Sequence, residues 1–153
     1  MTSRTPSVDE VLAAAAEIVA AFAATDGERY FATFDPQASF VFHVEADRLD
    51  DRAAYERLWS GWIADGWRVT SCESTNPHVQ VFPGGAVFAH DVATSVETSD
   101  GADSYRERET IVFRVEPSAG PDGPADPGPA DPGPAGGDRL VAVHEHLSPN
   151  PTA

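Results

Sequence analysis

Apolar residues recur at three- and four-residue steps from Val8 through Val11, Leu12, Ala15, Ile18 and Val19 to Phe22, which predicts a helix with one buried stripe. Ser7-Val8-Asp9-Glu10 has the capping-box pattern, so the helix starts at Val8, and Gly27 offers a stop. A short second helix over 28–34 is closed by Asp35-Pro36, because a proline disfavours helical backbone in the residue before it. SFVFHV, residues 39–44, is β-branched and aromatic and reads as a strand. LDDRAAYERLWSGWIADGW holds a third helix, with Asp50 or Asp51 as N-cap, Tyr55, Leu58, Trp59, Trp62 and Ile63 along one face, and Gly66 at its end.

From Trp67 onward the period changes. Strand-like runs are separated by Pro83-Gly84-Gly85 and by Ser99-Asp100-Gly101, and the order of helices first, then an antiparallel meander, predicts an α+β domain with helices covering one face of a curved sheet. A longer break, residues 117–138, contains 13 prolines and glycines in 22 residues with a tandem ADPGP. It reads as a disordered or polyproline-like insertion inside a hairpin, not as a domain boundary. A proline-motif docking site is the other reading, though no PxxP with adjacent basic residues stands out. The flanking strands, YRERETIVFRVE and RLVAVHEHL, pair across it, since each doubling of a loop costs only about 0.6 kcal/mol. The whole chain, 1–153, is thus expected to be a single domain.

Alternation with period two sorts these last strands into faces. Tyr105, Glu107, Glu109, Ile111, Phe113 and Val115 share the face expected to be buried, against Arg106, Arg108, Thr110, Val112 and Arg114. On the final strand the buried set is Val141, Val143, Glu145 and Leu147, against Leu140, Ala142, His144 and His146.

Charge narrows the partners. Twenty-five acidic against ten basic residues give a formal net charge of −15, which repels phosphate backbones and anionic lipid surfaces. Neither nucleic acid nor a membrane is expected as partner, and a solvated acidic surface accounts for the charge without a cationic substrate. The one cysteine, Cys72, excludes an internal disulfide framework and fits a reducing, cytoplasmic setting. No secretory leader or membrane-length apolar run is read from the sequence. No cofactor is implied: Cys72 has no recognisable base partner, no serine sits in a nucleophile-elbow context, and no glycine-rich loop joins a strand to a helix.

Phe34-Asp35-Pro36, Asn76-Pro77-His78-Val79, Glu107-Arg108-Glu109-Thr110 with Val112, and Val143-His144-x-His146-x-Ser148 together resemble SnoaL-like proteins and the association domain of calcium/calmodulin-dependent protein kinase II, within the nuclear transport factor 2-like superfamily. The resemblance implies a cystatin-like cone: three helices on a strongly curved antiparallel sheet with an open pocket on its concave face. Two departures stand out. The tight turn usual between the last two strands is replaced by the insertion, and Leu140 stands where a tryptophan commonly follows. Val92, Ile111 and Leu147 fall where the kinase association domain has pocket arginines, so an arginine-lined anion site is not expected.

Combined with the alternation, the resemblance implies a pocket lined by Ile111, Phe113, Val143 and Leu147, by Phe88, His90 and Val92, and by Trp59 and Trp62, although helical spacing alone makes the two tryptophans core residues first. Its polar members, Glu109, Glu145 and His90, are the acid/base candidates, because burial disfavours an ionised carboxyl and a second carboxyl disfavours it further. In the competing reading they sit at a wet mouth or pair with Arg68 or other basic groups. The HxH pair His144 and His146 supplies at most two metal ligands, one short of a zinc site, and no metal is expected. The pair is placed on the outer sheet face with Arg108 and Thr110, where the superfamily usually forms its dimer contact. The expected function is binding of a mostly apolar or aromatic small molecule by a homodimer, with cofactor-independent isomerase, cyclase or dehydratase chemistry if it is an enzyme. The alternative is a non-catalytic association or ligand-binding module.

Overall fold

The computed structural model describes residues 4–117 and 139–151. Helix α1, Val8–Ala23, begins on the predicted box: the Ser7 hydroxyl accepts from the Glu10 amide at 3.1 Å, and the Glu10 carboxylate accepts from the Ser7 amide at 2.8 Å. Val11, Ala15, Ile18 and Ala21 form its buried stripe. The stop is not Gly27. The helix is capped at Ala24, Thr25 takes the left-handed conformation at φ 53°, and the Thr25 hydroxyl accepts from the Val69 amide at 2.8 Å. Gly27 instead opens α2, Gly27–Phe31, behind its cap Asp26, and it is glycine for space: a Cβ there would stand 2.9 Å from Trp59 Nε1.

Strand β1, Phe34–Phe42, starts earlier than its pattern. Asp35-Pro36 lies inside it, which an edge strand tolerates because the missing proline amide has no ladder partner to lose; the register with its neighbour shifts between Phe34 and Ser39. Helix α3, Arg52–Ala64, is capped by Asp51, whose carboxylate accepts from the Ala54 amide at 2.9 Å, and it buries Tyr55 and Trp59. Strands β2 (Arg68–Phe82), β3 (Gly85–Thr98) and β4 (Gly101–Glu116) form the antiparallel meander, with Gly84 and Gly101 at positive φ in the two tight turns. Strand β5, Arg139–Pro149, pairs antiparallel with β4 and parallel with β1, so the sheet order is β1-β5-β4-β3-β2 and one parallel pair enters an otherwise antiparallel sheet. The β4–β5 ladder runs up to Glu116 opposite Arg139. The disorder expected of the insertion concerns residues 118–138, which lie outside the described residues.

The sheet is curved, and its ladders are interrupted by bulges at 69–71, 75–78 and 112–113. The third bulge corrects the alternation on β5. Val112 pairs with His144 while Phe113 pairs with Ala142, so Val143 is the extra residue and the faces exchange there. Ala142 joins the core cluster beside Phe113, Val141 is buried as expected, Val143 is only half-buried, and Glu145 and Leu147 return to the concave face beyond the bulge. Helix α1 lies against β2 and α3 against β1. Between helices and sheet sits an aromatic cluster centred on Tyr30, which stacks on Trp59 at 5.1 Å and meets Phe31, Phe34 and Tyr55 edge-on.

Candidate functional site

A cavity of about 450 Å³ opens between the helices and the concave face. One wall is apolar: Ile18, Val19 and Phe22 of α1, Phe42 at the end of β1, Tyr55 and Trp62 of α3, and Trp67. The opposite wall comes from the sheet, with Cys72, Val92, Thr94, Glu109, Glu145 and Leu147. The deep end is closed by Tyr30, Tyr55 and Glu145, all buried, and the mouth by exposed residues that include Val44, Asp103 and Tyr105.

Two carboxyls meet at the closed end. Glu109 faces Leu147 across the β4–β5 ladder and Glu145 faces Ile111, so the two are diagonal neighbours on the concave face. They hydrogen-bond each other, with Glu109 only 8% and Glu145 only 2% exposed. Burial holds Glu145 well above the ordinary carboxylate range, and the charge of Glu109 beside it adds to the effect; burial also raises Glu109. Glu145 is therefore the protonated member and donates to Glu109.

The remaining bonds form one chain. Tyr55 and Tyr30 hydroxyls lie 3.0 Å apart, and Tyr30 donates to Glu145 Oε1 at 3.3 Å. On the other side His90 Nε2 lies 2.6 Å from Glu109 Oε1, and His90 Nδ1 lies 2.5 Å from Ser74 Oγ. Burial drives the His90 imidazole down to about 4, so it is neutral at physiological pH. A neutral ring that donates from Nε2 to the Glu109 carboxylate accepts the Ser74 hydroxyl proton at Nδ1, and every group from Ser74 through to Tyr55 is then satisfied. Among the described residues no buried side-chain nitrogen or oxygen lacks a partner. A hydrogen-bonded, half-protonated carboxyl pair facing an apolar cavity can accept one proton and deliver another.

The structure brings Glu109, Glu145, Trp62, Val92 and Leu147 to the cavity wall. It places Trp59, Phe88, Ile111 and Phe113 elsewhere: they are buried in the core cluster and do not line the cavity. His90 does not line the cavity either and stands behind Glu109. Arg68 pairs with Glu97 at 2.8 Å at an exposed site, away from both carboxyls. His144 bonds Ser39 Oγ at 2.8 Å, and His146 lies opposite Thr110; both side chains occupy the convex face. Among the described residues no three or more histidine, cysteine or acidic side chains gather as a metal site would require. Burial pushes the Cys72 thiol up to about 11, which leaves it a poor nucleophile.

Sequence reasoning missed Tyr30, Tyr55 and Thr94 as cavity residues and the pair His43–Glu107, whose Nε2 and Oε2 are 2.6 Å apart at the mouth. Tyr30 sits on a helix of five residues, too short to show a period. The one available signal was Tyr55 on the apolar face of α3, a hydroxyl that needs a buried partner.

Comparison with known proteins fits this geometry. A family model described as a SnoaL-like domain matches residues 11–119. None of the curated proteins matches the sequence. Among solved structures, an NTF2-like protein of unknown function in nutrient uptake from Rhodospirillum rubrum aligns with a TM-score of 0.68 at 14% identity, over 93% of this chain and 99% of that one. The CaMKII hub of S. rosetta aligns with a TM-score of 0.65 at 21% identity, over 95% and 99%. The association domain of C. elegans CaMKII gives 0.59 at 19%, over 92% and 93%. At these identities the structural likeness speaks to the fold.

Proposed function

Since the chain belongs to the SnoaL-like domain family, we propose that it binds a small, mostly apolar or aromatic molecule in the conical cavity and moves a proton on it without a cofactor. The observation that carries the reading is the buried Glu109–Glu145 pair, hydrogen-bonded into a chain and open to a cavity with an aromatic wall. Glu109, the ionised member, takes a proton from the bound molecule. The Glu145 proton, resupplied through Tyr30, is delivered to another atom of the same molecule, so isomerisation, cyclisation or dehydration balances with no outside reductant. His90 orients Glu109 and does not touch the ligand. Native mass spectrometry of the purified protein, followed by thermal shifts against an aromatic and polyketide-like library, tests the binding step. Retention of a ligand that is lost on Trp62→Ala, and turnover lost on Glu109→Gln, are the expected results; a ligand-free protein with no shift across the library would sink the reading.

A second reading, a non-catalytic association module, draws support from the hub and association domains among the structural neighbours and from the convex face that carries Arg108, Thr110, His144 and His146. We infer that this face makes the homodimer contact whether or not the cavity is catalytic. The single domain spanning 1–153, with 117–138 inserted between adjacent strands, and a cytoplasmic setting belong to the same proposal. No described helix is long and apolar enough to cross a membrane.

A further inference from the structure

The cavity has a charge inventory as well as a shape. Glu45, Asp103, Glu107 and Glu109 contribute acidic groups to its wall beside the protonated Glu145, and among the described residues no arginine does; the sequence contains no lysine. His43 is the one basic side chain present, and it is held at 2.6 Å by Glu107. The described arginines lie away from the cavity wall. Arg29 pairs with Glu17, Arg48 with Asp50, Arg52 with Glu56, Arg68 with Glu97, Arg114 with Asp35 and Arg139 with Glu116, none of them at the cavity wall. Arg106 and Arg108 alternate onto the convex face of β4. The cavity wall therefore presents carboxylates that no arginine or lysine offsets, and the apolar surface between them screens their field less than water would.

The aromatic wall suits the same sign of charge. Trp62 and Trp67, with ring centroids 5.1 Å apart at 52°, both line the cavity, as do Phe22, Phe42 and Tyr55. Ring faces attract organic cations, most strongly where water is excluded. Acidic groups sit at both ends, Glu45 and Asp103 towards the mouth and Glu109 at the depth, with apolar surface between. An organic anion would meet carboxylates wherever it lay.

We propose that the cavity selects an organic cation, a protonated amine carried on an aromatic or alicyclic body, over neutral and anionic molecules of the same size. This rests on the reading of the cavity as a ligand site and names the class of ligand it takes. The body fills the space between Phe22, Trp62 and Trp67, and the ammonium group reaches the carboxylates. The net charge of −15 raises the local concentration of such a ligand before it enters.

Three probes of one size test this: naphthylethylamine, naphthylethanol and naphthylacetate, titrated into the full chain by calorimetry at neutral pH, in low and in high salt. The amine is expected to bind about tenfold more tightly than the alcohol, and naphthylacetate not measurably, with the preference shrinking as salt screens it. The double variant Asp103→Asn, Glu107→Gln, at the rim, is expected to lower the ratio of amine to alcohol affinity towards one. Equal affinity for amine and alcohol, or binding of naphthylacetate as tight as either, overturns the cation selectivity but leaves the ligand-site reading standing. Failure of all three to bind overturns the selectivity and counts against the ligand site too. A preference that survives the double variant intact in low salt removes the rim from the mechanism and overturns the proposal as argued.

Discussion

Glu145 is 2% exposed, carries the strongest upward pull on a carboxyl in the described structure, and is held by Tyr30 and Glu109. Its folded value lies above the unfolded one of about 4.5, so its contribution to stability is fully present below that pH and is lost as the pH rises through the folded value. Glu145→Gln keeps the shape and removes the ionisation. The variant is expected to be more stable than the parent at pH 7 and equal to it near pH 4, read by calorimetric melting across that range, while losing any turnover. His90 runs the other way. Its folded value, about 4, lies below the ordinary 6.5, so it contributes stability above pH 6.5 that is lost as the pH falls towards 4. An NMR titration should find the His90 imidazole still neutral at pH 6; a ring protonated there would mean that an ion pair with Glu109, and not a neutral hydrogen bond, holds the site. The alternation of the sequence placed both glutamates on the concave face, but it could not place Tyr30 behind Glu145 or Ser74 behind His90, because those bonds join residues 115 and 16 positions apart.

At the scale of elements, two glycines separate local propensity from packing. Gly61 lies in α3 with nothing within 4 Å of the position a Cβ would take. Gly61→Ala should stabilise by about 0.5–1 kcal/mol in urea unfolding, through helix propensity alone. Gly85 opens β3 where a Cβ would fall 2.3 Å from the Phe113 carbonyl oxygen, a backbone atom that cannot swing aside. Gly85→Ala should cost about 2 kcal/mol or more in the same measurement. The helices were legible in the sequence because their signals are local: the box at Ser7, the cap at Asp51 and the stripe of α1 all lie within a few residues of the element they start. The start of β1 and the bulge at Val143 were not. Each is set by the strand alongside, Phe34 by Ala142 and Val143 by the closing of Val112 and Phe113, and alternation read along one strand carries no sign of its partner.

For the whole molecule, the β4–β5 ladder already holds Glu116 opposite Arg139, so the two ends of the insertion emerge side by side. Replacing residues 118–138 by a two-residue Asn-Gly turn is expected to leave cooperative unfolding and the cavity intact, measured by urea unfolding and by binding of the amine probe. Loss of cooperativity would give the segment a part in the core. On the convex face, Thr110→Arg beside Arg108 and opposite His146 should convert a dimer to a monomer in sedimentation, with unchanged circular dichroism. What the sequence determined unaided follows from short-range rules: helix period, caps, the glycine turns, the α+β order, the charge, and which face of β4 turns inward. What only the tertiary structure decided depends on strands and helices far apart in the chain closing on each other. Trp59, Phe88, Ile111 and Phe113 are packed into the core cluster, while Trp62, Trp67 and the two glutamates line the cavity. Whether a buried side chain meets another side chain or an open space is fixed by volume in three dimensions, and a one-dimensional pattern records burial without recording what the residue is buried against.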